Sequence, residues 1–258
     1  MEGPDPLPAP PTLQPHPWRL GDSPPPPPEA CSHPLLLLLD RRDPRPAARA
    51  DALLATLSAS ERQRHAAYCR LADQQRFLVA RAALRQLLGQ WLEQPPAAVD
   101  IMAGPYGKPR CAGAPGFNLS HSGDLILLAF HGAVEVGVDV ERARPELDWR
   151  PIAQRVFPPA QAAALTALPP QAQAGAFLRA WCRLEAQLKA RGLGLAGLDQ
   201  LRQAALSEGA VAALGSEEVI WDVAVPAGYA AAAALAPTQG PSGGGGRGCS
   251  SQSSAERG

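Results

Sequence analysis

Net charge is what this sequence most lacks: 24 basic residues are matched by 24 acidic ones, and only 19% of its 258 residues are charged. A chain with no excess of either sign is not drawn by its overall field to nucleic acid or to an anionic membrane, and neither is expected as a partner. Paired cysteines are also missing. The five thiols, Cys31, Cys69, Cys111, Cys182 and Cys249, lie far apart with no Cys-x-x-Cys, so neither a zinc site nor a disulfide framework follows. A reducing, cytoplasmic setting fits that usage. Long apolar runs are scarce, and Leu35–Leu39 is too short for a bilayer span or a signal-peptide core. Lysine is nearly absent: of the 24 cations, 22 are arginine, leaving Lys108 and Lys189. Either those two survive by chance or they sit where a compact point charge suits better than a planar fork.

Proline crowds one end of the chain and glycine the other. Residues 1–34 hold 13 of the 29 prolines, and such a segment is expected to be a disordered, polyproline-like leader. Residues 237–258 are rich in Gly and Ser and read as a disordered, flexible tail. Neither is expected to matter for folding, because neither can bury enough apolar surface to offset its own ordering. Residues 35–236 are left to carry the fold.

Within that stretch, Leu35–Asp40 reads as a buried strand. Ser58 with Glu61 three residues on forms a capping box that opens a helix to about Arg70. A second helix from Asp73 carries Phe77, Leu84, Leu87, Leu88 and Trp91 on one face and ends before Pro95-Pro96. Strands are expected at 99–102, 117–119, 125–131 and 135–140. Helices at 151–156, 159–168 and 171–191 follow, then strands near 210–214, 217–225 and 229–236. Ala230–Ala234 favours helix by propensity, but the turn Pro226–Tyr229 before it points to a closing hairpin strand. Helices followed by antiparallel strands, twice over, indicate an α+β protein of two similar halves, 35–133 and 134–236.

The strongest chemical pattern is Gly137-Val-Asp-Val-Glu141. Strand alternation puts Asp139 and Glu141 on one face and Val138 and Val140 on the other. Side-by-side carboxylates repel unless a cation separates them, and a hard ion such as Mg²⁺ accompanied by substrate phosphates suits such a pair. Two solvated carboxylates at a strand end would look the same. The helix Trp181–Lys189 adds Glu185 and Lys189, four apart and beside an apolar stripe of Phe177, Trp181, Leu184 and Leu188; a surface ion pair is the plain alternative. Ser120-His121-Ser122 ends a strand in a polar turn able to cradle phosphate. No G-x-S-x-G elbow is present, which argues against acyl hydrolysis. Gly192-x-Gly194-x-x-Gly197 follows a helix rather than a strand and reads as a helix stop.

Five pieces in this order resemble the 4′-phosphopantetheinyl transferase superfamily in its single-chain, two-half, Sfp-like type. They are Gln75–Arg81, Gly107-Lys108-Pro109, Phe117-Asn-Leu-Ser-His-Ser122, Gly137–Glu141 and Trp181–Lys189, within residues 35–236. The resemblance implies a transferase that moves the phosphopantetheine arm of coenzyme A onto a serine of an apo acyl or peptidyl carrier protein. Adenosine 3′,5′-bisphosphate is the implied leaving group. It further implies Asp139, Glu141 and Glu185 as Mg²⁺ ligands, Glu185 as the group accepting the serine proton, and Lys189 as the cation at the pyrophosphate. Coenzyme A contacts would come from Arg64, Arg76, Lys108, Ser120, His121, Asp139 and Lys189, and the expected state is a monomer in the cytoplasm.

Two departures stand out: Leu184 occupies the usual lysine position of the helix motif, and Glu61 one of two usual cationic places. Arg183 is expected to supply the missing charge, and position 184 to lie at the edge of the apolar stripe. A non-catalytic binding protein of the same fold and a Mg²⁺-dependent phosphoesterase are the competing readings.

Overall fold

In the computed structural model, residues 10–104, 106–194, 197–198 and 219–236 are described. Two short strands, β1 (Thr12–Leu13) and β2 (His16–Pro17), precede β3 (Leu35–Asp40). Helices α1 (Pro44–Ala47), α2 (Ala50–Thr56), α3 (Ala59–Ala66) and α4 (Leu71–Trp91) follow. The first half closes with β4 (Met102–Ala103), β5 (Pro109–Arg110), β6 (Gly116–Ser122) and β7 (Leu125–His131). The second contains β8 (Val136–Arg142), α5 (Arg150–Val156), α6 (Pro159–Ala167), α7 (Pro170–Arg191), β9 (Ile220–Val223) and β10 (Tyr229–Leu235). This is the expected α+β fold in two halves. The strands expected near 210–214 and at 217–218 lie outside the described residues, as do residues 1–9 and the tail 237–258.

The sheets run β2-β3-β7-β6 and β1-β9-β10-β8. In chain order each half contributes its first, third and second strand, antiparallel throughout: β3-β7-β6 and β8-β10-β9. Strand alternation then builds four layers. On β7, Ile126, Leu128 and Phe130 face the helices of the first half, while Leu125, Leu127 and Ala129 face the other sheet. On β10, Ala231, Ala233 and Leu235 meet them across this shared core, and Ala230, Ala232 and Ala234 turn outward to α7. The alanine run is therefore a strand buried on both faces, and packing overrides its helix propensity.

Small residues on that outer face let α7 lie unusually close. A methyl group at Gly137 would stand 2.9 Å from Ala190 Cα, and closer still to Ala186 O and Ala190 N. Helix backbone thus rests directly on strand backbone. Gly192, with φ +69°, then stops α7 as its left-handed C-cap, as its sequence position predicts.

The leader departs from expectation over residues 10–34. β1 pairs parallel with β9, the far edge of one sheet, and β2 pairs parallel with β3, the far edge of the other. Trp18 and Leu20 are 5% exposed and belong to the first core. Trp91 Nε1 donates to Pro25 O at 2.9 Å, and Gly132 N donates to Glu29 O. Proline content signalled an extended chain correctly; two apolar anchors and two short edge pairings dock that chain on the protein. The second correction concerns α1, α2 and the small β4–β5 hairpin, elements too short to leave a periodic signal. Among the described residues, no helix is long and apolar enough to cross a membrane.

Candidate active site

β6 and β8 are neighbours without a backbone ladder. Side chains of β6 take the place of carbonyls: Asn118 Oδ1 accepts from Val138 N at 3.0 Å, Ser120 Oγ from Val140 N at 3.3 Å, and Ser122 Oγ from Arg142 N at 3.1 Å. Each partner lies 20 residues on, so the strands run in the same direction. Asn118, Ser120 and Ser122 share one side of β6 because they alternate. Sequence reading quoted Asn118 and Ser122 only as parts of a motif. Polar residues at every second place of the strand, 118, 120 and 122, were the available signal.

Two of these serines also hold the acidic pair. Ser120 Oγ donates to Asp139 Oδ1 at 2.9 Å, and Ser122 Oγ donates to Glu141 Oε2 at 2.7 Å. Lys189, reaching over from α7, donates to Asp139 Oδ1 at 2.6 Å and to Ser120 Oγ at 3.2 Å. Asp139 is buried, and its Oδ2 has no hydrogen-bond partner among the described residues. Desolvation pushes the Glu141 pKa up, the charge of Asp139 adds to it, and the Ser122 hydroxyl opposes it. Glu185 is raised as well, by desolvation first; Lys189 opposes this, while Asp139 and Glu141 reinforce it. The strand pair and the helix carboxylate therefore share one electrostatic environment.

The cationic side belongs to the first half. His121 points away from the serines, to the face where Phe117 and Leu119 pack on the helices. It is an exposed residue, yet desolvation lowers its pKa, with further lowering from Arg76, Lys189 and Arg64. Arg76 Nη1 donates to Gly123 O at 2.7 Å and pairs with Asp73, and Arg64 stands 5.4 Å over the Phe77 ring. Gly123, φ +56°, sits in the two-residue turn joining β6 to β7, where Tyr229 OH accepts from Asp124 N at 3.0 Å. That glycine is required: a methyl group there would strike Arg142 Cδ at 2.8 Å and Tyr229 OH closer still.

Other expected site residues fall elsewhere. Lys108 Nζ is only 7% exposed as a residue and donates to Val136 O at 3.0 Å and Ala190 O at 3.1 Å, while pairing with Glu135 at 2.6 Å. All three of its hydrogens are used in pinning β8 to the end of α7, a structural role for this side chain. Burial lowers its pKa against the pull of Glu135. Ser120 faces β8, Asp139 and Lys189, where its hydroxyl supports the acidic pair. Arg183 donates twice to Asp222, at 2.8 and 2.7 Å, and does not replace the missing lysine. Leu184 is 8% exposed inside a cluster with Trp149, Phe177 and Leu188, not at the stripe's edge. Glu61 completes its capping box and pairs with Arg81 and Arg85, so it neutralises arginines where a phosphate-binding cation had been expected.

The fit to a divalent ion divides. Among the described residues, no group of three or more His, Cys, Asp or Glu side chains is gathered tightly enough to hold a metal. The donor chemistry nevertheless suits a hard cation: three carboxylates share one field, and one buried carboxylate oxygen is unpartnered.

Two arginines and the His121 imidazole on one wall, and an acidic pair with its own lysine on the other, define a site suited to a phosphate-bearing polyanion. Residues 135–232 match the 4′-phosphopantetheinyl transferase superfamily, and residues 44–132 match the N-terminal region of 4′-phosphopantetheinyl transferases. The chain belongs to the 4′-phosphopantetheinyl transferase superfamily. It is similar to the 4′-phosphopantetheinyl transferase HetI of Nostoc sp., with 34% identity over 161 residues, 60% of this chain and 68% of that one. To AcpT of Salmonella typhimurium, also named a 4′-phosphopantetheinyl transferase, identity is 46% over 95 residues, 36% of this chain and 50% of that one. The 4′-phosphopantetheinyl transferase of Bacillus subtilis is 30% identical over 155 residues, 59% of this chain and 67% of the relative. The chain spans 60% of the length of a further relative from Synechocystis.

Proposed function

We propose that this protein transfers the 4′-phosphopantetheine group of coenzyme A to a serine of an apo acyl or peptidyl carrier protein, releasing adenosine 3′,5′-bisphosphate. The observation that carries this reading is the seam itself. A cationic wall and a carboxylate pair, one from each half, meet there with Lys189 between them. Arg64, Arg76 and His121 suit the nucleotide phosphates. Lys189, bonded to Asp139 and close enough to lower the His121 pKa, suits the pyrophosphate that spans the two walls. Phosphoryl transfer needs positioning and charge neutralisation more than covalent help from side chains. Glu185, whose pKa is raised by desolvation, has the basicity that suits it to accept the proton of the carrier serine.

Asp139, Glu141 and Glu185 are the residues that would hold Mg²⁺. When bound, it would neutralise charge on the leaving nucleotide. Intact mass spectrometry of apo carrier proteins incubated with the protein, coenzyme A and Mg²⁺ is the test. Wild type should add one phosphopantetheine to at least one carrier, and a folded Asp139→Ala variant should add none. Undiminished turnover by that variant would sink the site assignment. A protein that binds coenzyme A but modifies no carrier would establish the binding-protein alternative.

A further inference from the structure

Asn118, Ser120 and Ser122 do the same thing for β8, but not the same thing for the acids. All three accept one β8 backbone N–H, at Val138, Val140 and Arg142. Asn118 stops there. Ser120 shares Asp139 with Lys189, so a second donor backs it up. Ser122 is the only described residue with a side-chain hydrogen bond to Glu141, at 2.7 Å. A hydroxyl has one hydrogen to give and lone pairs to accept with. In Ser122 the lone pair takes Arg142 N and the hydrogen goes to Glu141 Oε2, which fixes the hydroxyl rotor in one direction. The backbone of β8 therefore aims the hydroxyl, and the hydroxyl aims the carboxylate of the residue just before its own seam partner.

We propose that Ser122 is a positioning residue for Glu141: the hydrogen bond that fastens the two halves at this point also presents the Glu141 carboxylate to the cation it binds. This rests on the proposed reading only in taking Glu141 as a ligand of a divalent ion. Side chains that orient a metal ligand through a hydrogen bond typically control about 10- to 100-fold in metal affinity when removed.

The comparison that isolates the role is Ser122→Ala against Asn118→Ala. Both remove a seam bond and leave one β8 N–H without its acceptor, so both should lower the thermal midpoint. Only Ser122→Ala removes a bond to a carboxylate. The readout is Mn²⁺ affinity of the protein alone, followed by electron paramagnetic resonance of the free ion, with no coenzyme A or carrier present. Ser122→Ala should weaken Mn²⁺ by about 10-fold or more, Asn118→Ala by less than about 2-fold, and Ser122→Thr, which restores a hydroxyl, should return wild-type affinity. Should Ser122→Ala fail to fold, Ser122→Cys keeps the volume with a poor donor and should show the same weakening. Equal losses in the serine and asparagine variants, an unchanged affinity in Ser122→Ala, or no Mn²⁺ binding by wild type would each overturn the proposal. Transfer to no carrier alongside the expected Mn²⁺ pattern would remove the proposed function and leave this role standing.

Discussion

Gly137→Ala tests whether the site depends on α7 lying directly on β8. The added methyl would stand 2.9 Å from Ala190 Cα and nearer to Ala186 O and Ala190 N, all of them backbone atoms that cannot rotate away. Carbon contacts are comfortable at about 3.5–4.0 Å, so the helix must retreat by roughly 1 Å at the point between Glu185 and Lys189. Overpacking of this kind costs about 1–3 kcal/mol. At about 2–4 °C per kcal/mol for a domain of this size, the thermal midpoint should fall by roughly 2–12 °C. Function should suffer more than stability. A displacement of about 1 Å in a positioned group can cost about 100-fold, and Lys189 holds Asp139 at 2.6 Å. Carrier modification measured by intact mass should therefore drop by about two orders of magnitude in a protein still folded at 25 °C. Gly175→Ala is the control in the same helix. Its methyl would meet nothing nearer than the flexible Arg179 guanidinium at 3.5 Å, and it should stabilise by about 0.4–1 kcal/mol. Wild-type turnover by Gly137→Ala would refute the argument that close backbone packing sets the site.

The remaining predictions concern parts of the molecule where structure and first expectation diverged. Trp18→Ala, in the leader, should cost about 3–5 kcal/mol because a 5%-exposed indole leaves the first core; an unchanged melting temperature would show that the leader is not anchored. Leu184→Lys would put an ammonium among Trp149, Phe177 and Leu188 and should destabilise by roughly 2 kcal/mol or more, so a stable variant with tighter coenzyme A binding would contradict the placement of that side chain. Glu61 supplies a pH test. Burial raises its pKa, but Arg81, the Ser58 amide and Arg85 outweigh this and hold it below the ordinary 4.5. A native value below the unfolded one means that its stabilisation is complete above the ordinary value and is lost as pH falls through the native one. Urea unfolding of wild type should thus weaken on acidification through that window. Glu61→Gln should be less stable at neutral pH by about 3–5 kcal/mol, because Arg85 is left buried without its counter-charge, and a Gln variant matching wild type at pH 7 would exclude this account.

Much of the candidate site was legible in the sequence because it is set by periodicity. A two-residue period puts Asp139 and Glu141 on one face of β8, and a helical period puts Glu185 and Lys189 together on α7. Ser58 and Glu61 cap α3, and Gly192 ends α7, through contacts spanning a few residues. Local pattern determines which face a side chain takes; it does not determine what stands opposite. Of the two lysines, each equally conspicuous in an arginine-rich chain, only the tertiary structure separates Lys189 at Asp139 from Lys108 tied to Val136 and Ala190. The same holds for Ser120, which the family resemblance groups with His121 and which alternation turns to β8 and Asp139. Proline content described how the leader runs, but β9 and β3, about 200 and 20 residues further on, are what hold it. The sequence by itself determined the halves, the faces and the chemical inventory, since those follow from repeats of two and 3.6 residues. The pairing of those faces was decided only in three dimensions, by how closely backbones approach at Gly137 and by which polar atoms burial leaves in need of a partner.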